Sequence, residues 1–549
     1  MRLAHAIWLL CLLPLLATAE GASLRLALRE AEGDRLYTLT EAGVSHASAL
    51  PEETASPLGS IWKLYVYAWL EDTHQTEQPY QCQGHDPEEV YCCHPGESIT
   101  RDTALVRSCG LYFAPSRLHI DESAWDAYWR QHNAPSWVSS LSSLGPQTQV
   151  SVKALLDSLA VLPAQQKARN VLLDVMLDSS KKGVAAQLGG RLRVKTWSWF
   201  ASDKAHSREG GFAGWLTDGT PVWAGGNGTS KTVLTRYAAV LNQLLPVPSD
   251  VASGQCVLVD MFARYPVQSV IKENTTQSVT AGPLSGRYRV TFSNGNHLTL
   301  VSSGETLLQT ENGTLRLQAH LDREEYVARV LDREAASTPL EAAKAMTIVI
   351  RTWLLQNAQR EGDCLRIGDS SASQRVSPSP ASHAARQVTA WTQDMILAGG
   401  PVNYHRERAA TGLLSWQNAR EQAAQGERFD AILSAAFPYA SLSRWDDPHS
   451  TCQPMPEAKR WLMTKREQWR RQLDLEPGYS EPSNFAVCKL VSGFPFTDRQ
   501  QKRLYIRNFF TLQDRLDVTH EYLHLAFDGY PSGLDESYVE NLARHLLMD

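Results

Sequence analysis

The sequence predicts a multidomain α+β protein. The prediction rests on the length of the chain and on the Pro-, Ser- or Gly-rich stretches between its predicted helices and strands. A chain of 549 residues suffices for about three or four domains of ordinary size. Stretches rich in Pro, Ser or Gly at 244–255 and 444–457 interrupt the predicted helices and strands and indicate linkers. We therefore expect a first region at 20–248, a second at 254–446 and a third at 450–549.

The regions also differ in their predicted elements. The second opens with strand-like segments, such as CVLVDMF at 256–262 and RYRVTF at 287–292, separated by Gly/Asn turns. It turns helical from about Tyr326, and the third region is mainly helical. The expected fold is thus mixed, with strands and helices distributed unevenly along the chain.

The N-terminal stretch MRLAHAIWLLCLLPLLATAEGAS has the pattern of a secretory signal. Arg2 supplies the positive start, and the apolar core at 7–16 is too short to span a bilayer. Ala17-Thr18-Ala19 is a small-x-small cleavage site. We expect residues 1–19 to be a signal peptide cleaved after Ala19, and no later stretch is long and apolar enough to cross a membrane.

Charge and cysteine content restrict the class of protein further. The net charge of −6 argues against nucleic acid as the main partner. Nine cysteines less Cys11 of the signal leave eight, and an even number in an exported protein indicates disulfides. Pairing is not readable from spacing alone. Our expectation is Cys452–Cys488 and Cys256–Cys364.

The first region contains a serine and a lysine at helical spacing in SPLGSIWKLYVYAWLED, residues 56–72. Ser60 and Lys63 are three apart, so a helix places them on one face. A desolvated lysine amine has a lowered pKa and can take the proton of a neighbouring serine. The ordinary alternative is a capped surface helix, because S-x-x-K alone is a common string.

Two later segments strengthen the functional interpretation of this serine and lysine. They are Ser108-Cys109-Gly110, which follows a helical run, and Lys195-Thr196-Trp197, which lies on a predicted strand. Their order resembles the penicillin-binding protein and serine β-lactamase superfamily, with its S-x-x-K, S-x-N and K-[ST]-G motifs, over about 25–245. The resemblance implies a β-lactamase-like domain in which each residue has a role. By it, Ser60 is the nucleophile, Lys63 its base, Ser108 the proton relay, Lys195 a positive charge for a substrate carboxylate, and Thr196 and Trp197 substrate-binding residues.

This region departs from that pattern at two positions. Gly110 replaces the usual Asn, and Trp197 replaces the Gly that follows Lys-Thr. Strand residues two apart face the same side, so Trp197 is expected to point with Lys195 into the groove and crowd it. The alternative is that this region keeps the fold without the activity and binds stem peptides or another protein without turnover.

The second region contains YVARVLDREAASTPLEAAKAMTIVIRTWLL (326–355), DSSASQRV (369–376) and GERFDAILSAAFPYASL (426–442). Together they resemble the SpoIID lytic transglycosylase family, although Ala335-Ala336 stands where Met-Pro is usual. The resemblance implies Glu334 as the acid that protonates the glycosidic oxygen, with Glu341 as the alternative; such a glutamate works best with a raised pKa. By the same resemblance, the residues lining the glycan groove are Arg351, Asp369, Ser370, Ser373 and Gln374.

The third region contains His520-Glu521-Tyr522-Leu523-His524, and its two histidines leave one helix face at spacing i, i+4. Glu521 lies beside them, placed to take a proton from a metal-bound water. Gly529, Pro531 and Gly533 end this helix, and LDESYVENLARHLL (534–547) begins another. The pattern resembles gluzincin metallopeptidases and implies a mainly helical, zincin-like region that binds zinc through His520, His524 and Glu536, with Glu540 or Asp528 as alternative ligands. Two histidines sharing a helix face by coincidence is the other interpretation.

Taken together, the three resemblances imply a Gram-negative periplasmic protein acting on peptidoglycan glycan strands or stem peptides. Lytic transglycosylase and zinc metallopeptidase activities are both implied, beside an acyl-transfer-like site. The layout also resembles the YfaQ-like exported proteins of enterobacteria, whose genes lie near those of bacterial α2-macroglobulins, which implies a partner of that kind. Two alternatives stay open: a degenerate binding scaffold without turnover, and a secreted zinc metallopeptidase that the first two regions only target.

Overall fold

The computed structural model describes residues 23–93, 95–96, 98–177, 183–200, 208–248, 252–398, 401–438, 440–446, 454–482, 485–489, 495–499 and 502–548. The predicted signal peptide, its cleavage site and Cys452 lie outside these residues. Within them, no helix is long and apolar enough to cross a membrane. The fold is a mixture of helices and sheets arranged in several layers, as the sequence predicts.

The first region is built on an antiparallel sheet in the order β3-β2-β1-β10-β9-β8. Strands β8 to β10 are rich in aromatic and small apolar residues and are buried on both faces, because helices cover the sheet from each side. The strands are β1 (Leu24–Glu30), β2 (Gly33–Thr40), β3 (Gly43–Ala49), β4 (Ala55–Pro57), β5 (Tyr80–Gln81), β6 (Ser98–Ile99), β7 (Gln149–Ser151), β8 (Leu192–Phe200), β9 (Arg208–Leu216) and β10 (Pro221–Asn227). The helices are α1 (Trp62–Asp72), α2 (Arg101–Arg107), α3 (Gly110–Phe113), α4 (Pro115–Leu118), α5 (Glu122–Gln131), α6 (Ser136–Ser139), α7 (Val152–Ala160), α8 (Gln165–Leu177), α9 (Val184–Leu188) and α10 (Ser230–Leu244).

The second region begins with a sheet in the order β12-β13-β14-β15-β11-β17-β16 and then becomes helical. Its two long helices are separated at 335–339, where Pro339 is the N-cap of the second helix. The strands are β11 (Cys256–Met261), β12 (Val267–Lys272), β13 (Gly282–Phe292), β14 (His297–Glu311), β15 (Thr314–Asp322), β16 (Gln359–Glu361), β17 (Cys364–Gly368), β18 (Met395–Ala398), β19 (Asn403–His405), β20 (Leu413–Ser415) and β21 (Ser441–Arg444). The helices are α11 (Arg323–Glu334), α12 (Leu340–Asn357), α13 (His383–Trp391), α14 (Trp416–Ala424) and α15 (Phe429–Ala436).

The third region packs three helices around a small sheet of order β22-β24-β23 that the sequence did not predict. Its elements are α16 (Pro456–Leu473), β22 (Ala486–Lys489), β23 (Phe496–Asp498), β24 (Arg503–Ile506), α17 (Leu512–Ala526) and α18 (Glu536–Met548). Helix α17 begins with a capping box, in which Thr511 and Asp514 satisfy each other's backbone amides. The third region has a core of its own, formed by apolar residues of α16, α17, α18 and the sheet.

The first two regions share one continuous hydrophobic core across the predicted linker at 244–255. Two buried ion pairs reinforce this junction: Arg193 Nη2 lies 3.1 Å from Asp394 Oδ2, and Arg444 Nε lies 3.1 Å from Asp174 Oδ2. Buried pairs need further hydrogen bonds to offset desolvation, and Arg193 has one to the Gln393 carbonyl at 3.0 Å. The orientation of the two regions is therefore fixed by packing rather than left to a linker.

Disulfides form within regions and close to predicted site residues. The predicted Cys256–Cys364 pair is confirmed and joins β11 to β17. Cys488 is disulfide-bonded, and its predicted partner lies outside the described residues. The four cysteines of the first region pair as Cys82–Cys93 and Cys92–Cys109.

Candidate functional site

The serine and lysine of the first region meet at the start of α1. Ser60 lies in the short turn Gly59–Ile61 that leads into the helix, and Lys63 lies in its first turn. The Lys63 amine donates to Ser60 Oγ at 3.1 Å, to the Ser108 carbonyl at 2.6 Å and to Ser108 Oγ at 3.3 Å. Burial lowers the pKa of Lys63 to about 8, against an opposing effect of Glu88. The arrangement places a proton acceptor beside a candidate nucleophile.

Lys195 lies on β8 behind this pair and is fully buried. Its amine donates to the Thr196 carbonyl at 3.1 Å. Burial, and then the charge of Lys63, lower the pKa of Lys195 far below its usual value. Burial therefore makes the neutral amine of each lysine, the state that accepts a proton, more accessible than it is in water.

Trp197 packs against the backbone next to Ser60. It is 2% exposed and stacks on Trp223 with ring centroids 6.5 Å apart. A Cβ placed on Gly59 would lie 3.1 Å from Trp197 Cβ, so the indole follows the turn that presents Ser60. Trp197 therefore packs against the backbone of the turn that carries Ser60.

Glu334 ends α11, and both of its carboxylate oxygens are bound by one arginine. Arg375 donates from its backbone N at 2.8 Å, from Nε at 3.1 Å and from Nη2 at 3.0 Å. A general acid needs a free oxygen to reach a glycosidic oxygen. Arg375, whose side chain is 43% exposed, has to move before Glu334 can serve.

The residues expected beside Glu334 separate into two groups. Asp369 accepts hydrogen bonds from the amides of Val376 at 3.0 Å and Phe262 at 3.1 Å, and burial raises the pKa of its carboxyl. Ser370 and Ser373 are half-buried and bonded to each other at 2.9 Å. These three lie in the loop that also presents Arg375 to Glu334.

Arg351 and Gln374, in contrast, are fully buried, which corrects the expectation that they line a groove. Arg351 binds Glu324 at 2.6 Å and the Thr392 and Met395 carbonyls at 2.9 Å each. Gln374 accepts from Tyr326 Oη at 2.6 Å and donates to the Ile350 carbonyl at 3.2 Å. Their polar atoms hold helices together in this structure. Glu341, the alternative acid, is paired with Lys344 at 2.6 Å.

Arg351 belongs to a buried chain of charges that sequence reasoning missed. Glu324 binds Arg351 on one side and Arg323 Nε on the other at 2.8 Å, and Arg323 binds Asp394, which binds Arg193. The chain links α12, through α11, to β8, which carries Lys195. Charged residues at the apolar positions of α11 and α12 were the available signal.

The third region brings three metal-binding side chains to one point between α17 and α18. His520 Nε2 lies 2.9 Å from His524 Nε2 and 3.1 Å from Glu536 Oε2, and His524 Nε2 lies 3.4 Å from Glu536 Oε1. Ligand atoms at about 2.0–2.1 Å from a tetrahedral zinc lie roughly 3.3 Å from one another. The three distances are close to that value, and all three residues form one cluster of candidate ligands.

The hydrogen-bond partners of the two Nδ1 atoms determine the orientation of the rings and therefore of the two Nε2 atoms. His520 Nδ1 lies 3.1 Å from Glu540 Oε2, and His524 Nδ1 lies 2.8 Å from the Gly533 carbonyl. A carboxylate and a carbonyl only accept, so each Nδ1 donates to its outer partner, and each Nε2 is the nitrogen that faces the cluster. Two imidazole nitrogens and one carboxylate are the ligand types of a catalytic zinc site, so the donor set fits zinc. Glu540 and Gly533 hold the rings from outside, as partners of metal-binding histidines usually do.

Glu521 lies on the same helix turn and is 6% exposed. Thr497 on β23 donates to its Oε2 at 2.7 Å, and burial raises the pKa of its carboxyl. Arg499, after the same strand, donates to the Gly533 carbonyl at 3.4 Å. Neither Thr497 nor Arg499 was singled out in the sequence, because no spacing connects them to the histidines. Asp528, an alternative ligand, is not part of the cluster found in the described chain.

Family models match three parts of the chain. The DUF2300 model, described as a predicted secreted protein, matches residues 84–206 and 412–532. The SpoIID model, described as stage II sporulation protein, matches residues 311–398 and includes Glu334. These matches indicate an exported protein related to the cell wall.

Similar solved structures include class D β-lactamases. The enzyme from Sebaldella termitidis is 11% identical, with 41% of this chain and 87% of that chain covered and a TM-score of 0.26. The Bacillus subtilis enzyme is 12% identical, with 40% and 90% covered and a TM-score of 0.28. The enzyme BAT-2 is 12% identical, with 41% and 94% covered and a TM-score of 0.29.

A curated relative covers the whole chain. The Escherichia coli (strain K12) protein YfaQ is 67% identical over 549 residues, which is 100% of both sequences. Each of the three regions therefore has its counterpart in that protein. The chain belongs to the YfaQ family of exported proteins.

Proposed function

We propose that this protein, exported to the periplasm after cleavage behind Ala19, hydrolyses peptide bonds in the stem peptides of peptidoglycan at a zinc centre. His520, His524 and Glu536 hold the zinc ion. The observation that carries the proposal is the convergence of both Nε2 atoms on the Glu536 carboxylate, with the three ligand groups 2.9 to 3.4 Å apart. The cell wall as target is supported by the SpoIID and secreted-protein matches.

The residues around the ligands suit amide hydrolysis. A zinc ion bound there would lower the pKa of a coordinated water and polarise the scissile carbonyl. Glu521, with its raised pKa, is suited to accept a proton and to return it to the leaving amine. Thr497 fixes the Glu521 carboxylate, while Glu540 and Gly533 keep the imidazoles from rotating.

The experiment measures metal content and stem-peptide cleavage on the same preparations. Purified mature protein should contain about one zinc per chain, as a three-ligand catalytic site does, and should release shortened stem peptides from purified sacculi. Glu521→Gln should keep the zinc and lose about 10²–10⁴-fold in rate, the usual contribution of a general acid–base. Glu457→Gln, an exposed glutamate of α16, is the matched control and should behave as wild type.

Chelation of the zinc ion gives a result that can contradict the proposal. Removal of zinc with EDTA should abolish cleavage, and added zinc should restore it. Wild-type protein that neither contains nor takes up zinc, or cleavage that persists in EDTA, contradicts the proposal.

Acyl transfer at Ser60 is the second candidate function, and one observation favours it. The Lys63 amine is 3.1 Å from Ser60 Oγ and has a pKa lowered to about 8. The candidate acyl donor is a peptide or β-lactam carbonyl. Labelling by a fluorescent penicillin should be weak in wild type, because Trp197 crowds the approach, and absent in Ser60→Ala. Strong labelling undiminished in Ser60→Ala excludes this site.

A further inference from the structure

Ser108 accepts two of the three hydrogen bonds that the Lys63 amine donates within the described chain. The amine donates to the Ser108 carbonyl at 2.6 Å and to Ser108 Oγ at 3.3 Å, and its third bond goes to Ser60 Oγ at 3.1 Å. Lys63 and Ser108 are 45 positions apart in the chain. Their contact therefore depends on how the segment around Ser108 is held against α1.

The backbone of Ser108 has a conformation that needs support. Ser108 is the C-cap of α2 and lies in the left-handed region, with φ 65° and ψ 36°. A residue with a side chain rarely adopts this conformation, because its Cβ comes close to the following carbonyl oxygen. The amides of Ser108 and Cys109 close the end of α2 on the Leu105 and Ala104 carbonyls, at 3.3 and 2.9 Å. These bonds orient the Ser108 carbonyl relative to α2, while its distance from Lys63 depends on what holds Cys109.

Cys109 follows Ser108 directly and is held by a covalent bond. It is fully buried as the N-cap of α3 and forms a disulfide with Cys92. The chain after it runs past the same amine, since a Cβ added to Gly110 would lie 3.8 Å from Lys63 Nζ. The disulfide thus acts on a residue whose two chain neighbours both border Lys63.

The other end of this disulfide lies in a segment that is itself fixed. The amides of Cys92 and Cys93 donate to the Glu89 carbonyl at 3.0 and 2.9 Å, and Cys93 is disulfide-bonded to Cys82. The Glu89 carboxylate is buried and accepts from two backbone amides and a tyrosine hydroxyl of residues 80–84. Cys92 is therefore anchored by its surroundings, and its disulfide extends that anchor to the end of α2.

Two charged groups act on the Lys63 amine besides these contacts. The charge of Glu88 raises the pKa of Lys63, and Lys195 on β8 interacts with Lys63 electrostatically from the side of the sheet. Burial outweighs Glu88 and lowers the pKa of Lys63 to about 8. The lowered pKa thus requires that water be kept from the amine, and the segment 108–110 is one of the walls that exclude it.

We propose that Cys109 is a positioning residue of the Ser60 site. Its disulfide with Cys92 holds the Ser108 carbonyl and hydroxyl on the Lys63 amine. The proposal rests on acyl transfer at Ser60, the second candidate function, and adds a covalent support to the residues of that site. The site is therefore complete only in protein that carries this disulfide.

The test follows the Lys63 amine directly. Protein labelled with ¹³C at the lysine Cε atoms is titrated by NMR, and the signal missing from Lys63→Met protein belongs to Lys63. The wild type should titrate at the lowered pKa of about 8. In Cys92→Ala/Cys109→Ala, water reaches the amine once Ser108 withdraws, so the pKa should rise toward the ordinary 10.5 of lysine. Penicillin labelling of Ser60 at pH 7 should fall by about 100-fold, as for a catalytic group displaced by about 1 Å.

Cys256→Ala/Cys364→Ala is the matched control, because it removes the disulfide that joins β11 to β17 in the second region. This variant should lower the unfolding temperature without changing the Lys63 titration or the labelling of Ser60. A disulfide that only stabilised the fold would give the same result at Cys92–Cys109.

Reduction of the folded wild type with a phosphine is the second measurement, because it does not require a cysteine variant to fold. The pKa of Lys63 should rise on reduction and return to about 8 after oxidation with oxidised glutathione. Mass spectrometry of the alkylated thiols identifies the protein in which Cys92 and Cys109 are reduced.

The outcomes separate this proposal from the one on which it rests. A Lys63 pKa that stays near 8 in folded protein without the disulfide overturns the positioning role, whatever the labelling. A rise confined to protein that lacks the Cys92–Cys109 bond supports it. Absence of penicillin labelling in the wild type contradicts acyl transfer at Ser60, while the Lys63 titration still reports on the disulfide.

Discussion

The site at Ser60 and the site at His520 both place reactive side chains at helical spacing, but the contacts of those side chains differ. The reactive residues are three apart across the turn that leads into α1 and four apart within α17. At Ser60 the amine of Lys63 makes its hydrogen bonds to Ser60 and Ser108, and Trp197 packs over the turn. At His520 the reactive nitrogens face each other and Glu536, whose side chain is 68% exposed.

The comparison shows that the presence of reactive side chains and their accessibility to a ligand are separate properties. The first site is satisfied by its own protein contacts, and so is Glu334, whose carboxylate is bound by Arg375. The third site presents two imidazole nitrogens and a carboxylate to one point, where a zinc ion fits. We therefore expect ligand entry to require a displacement at Ser60 and Glu334, and to require only metal binding at His520.

Glu334→Gln gives the largest expected effect. We propose that any release of anhydro-muropeptides from sacculi depends on Glu334, so removing its carboxylic acid while keeping its size should lower that release by up to about 10⁴-fold. Glu341→Gln is the matched control on the neighbouring helix and should retain release. Loss of release in Glu341→Gln with retention in Glu334→Gln would place the acid on α12 instead.

Lys63→Met tests whether the first site is complete as it stands. Methionine fills the volume but has no amine, so labelling of Ser60 by a fluorescent penicillin should slow by about 10³-fold. In the wild type the neutral amine is the base, so the labelling rate should rise with pH through about 8, the lowered pKa of Lys63, and level off above it. A rate independent of pH from 6 to 10 contradicts a role for Lys63 as the base.

His524→Ala tests the third site in the same way. Removing one of three ligands should lower zinc affinity by more than about 100-fold, since even partners of the ligands are worth 10–100-fold. Elemental analysis after dialysis measures the loss. His545→Ala, on the exposed last turn of α18, is the control and should keep about one zinc per chain. Zinc retained in His524→Ala would mean that the ion is held elsewhere.

Trp197→Gly tests the crowding of the first site. Opening the space beside Ser60 should raise penicillin labelling by about tenfold, while the cavity should lower the free energy of unfolding by about 3–5 kcal/mol. Trp199→Gly, two residues along β8 and half-buried, should leave labelling unchanged. Thermal unfolding of both variants separates altered access from loss of fold. Unchanged labelling in a folded Trp197→Gly protein removes the crowding argument.

Glu540→Gln gives the smallest expected effect. The amide still reaches His520 Nδ1 but no longer carries the charge that strengthens the histidine as a ligand. Zinc affinity should fall by about tenfold, with one zinc still bound at saturation. A loss as complete as that of His524→Ala would show that Glu540, and not Glu536, is the third ligand.

Local spacing predicted much of the fold and of each reactive group. The breaks near Pro339 and Gly529 end helices as expected, because neither residue favours continuation of a helix. The i, i+4 pair falls on α17, the i, i+3 pair spans the turn that leads into α1, and Cys256–Cys364 joins two strands. The sheet of the third region was missed because its strands of three or four residues are too short to show a period.

What the sequence by itself determined is the set of reactive groups and the helix faces that carry them, since both depend on residues a few positions apart. Tertiary structure alone decided the burial of Arg351 and Gln374, the bond from Thr497 to Glu521, and the approach of the loop 84–93 to Glu536. The loop and Glu536 are more than 400 positions apart. Such contacts are fixed by packing of separate regions, which has no periodic signature in the chain, and they determine which reactive group a substrate can reach.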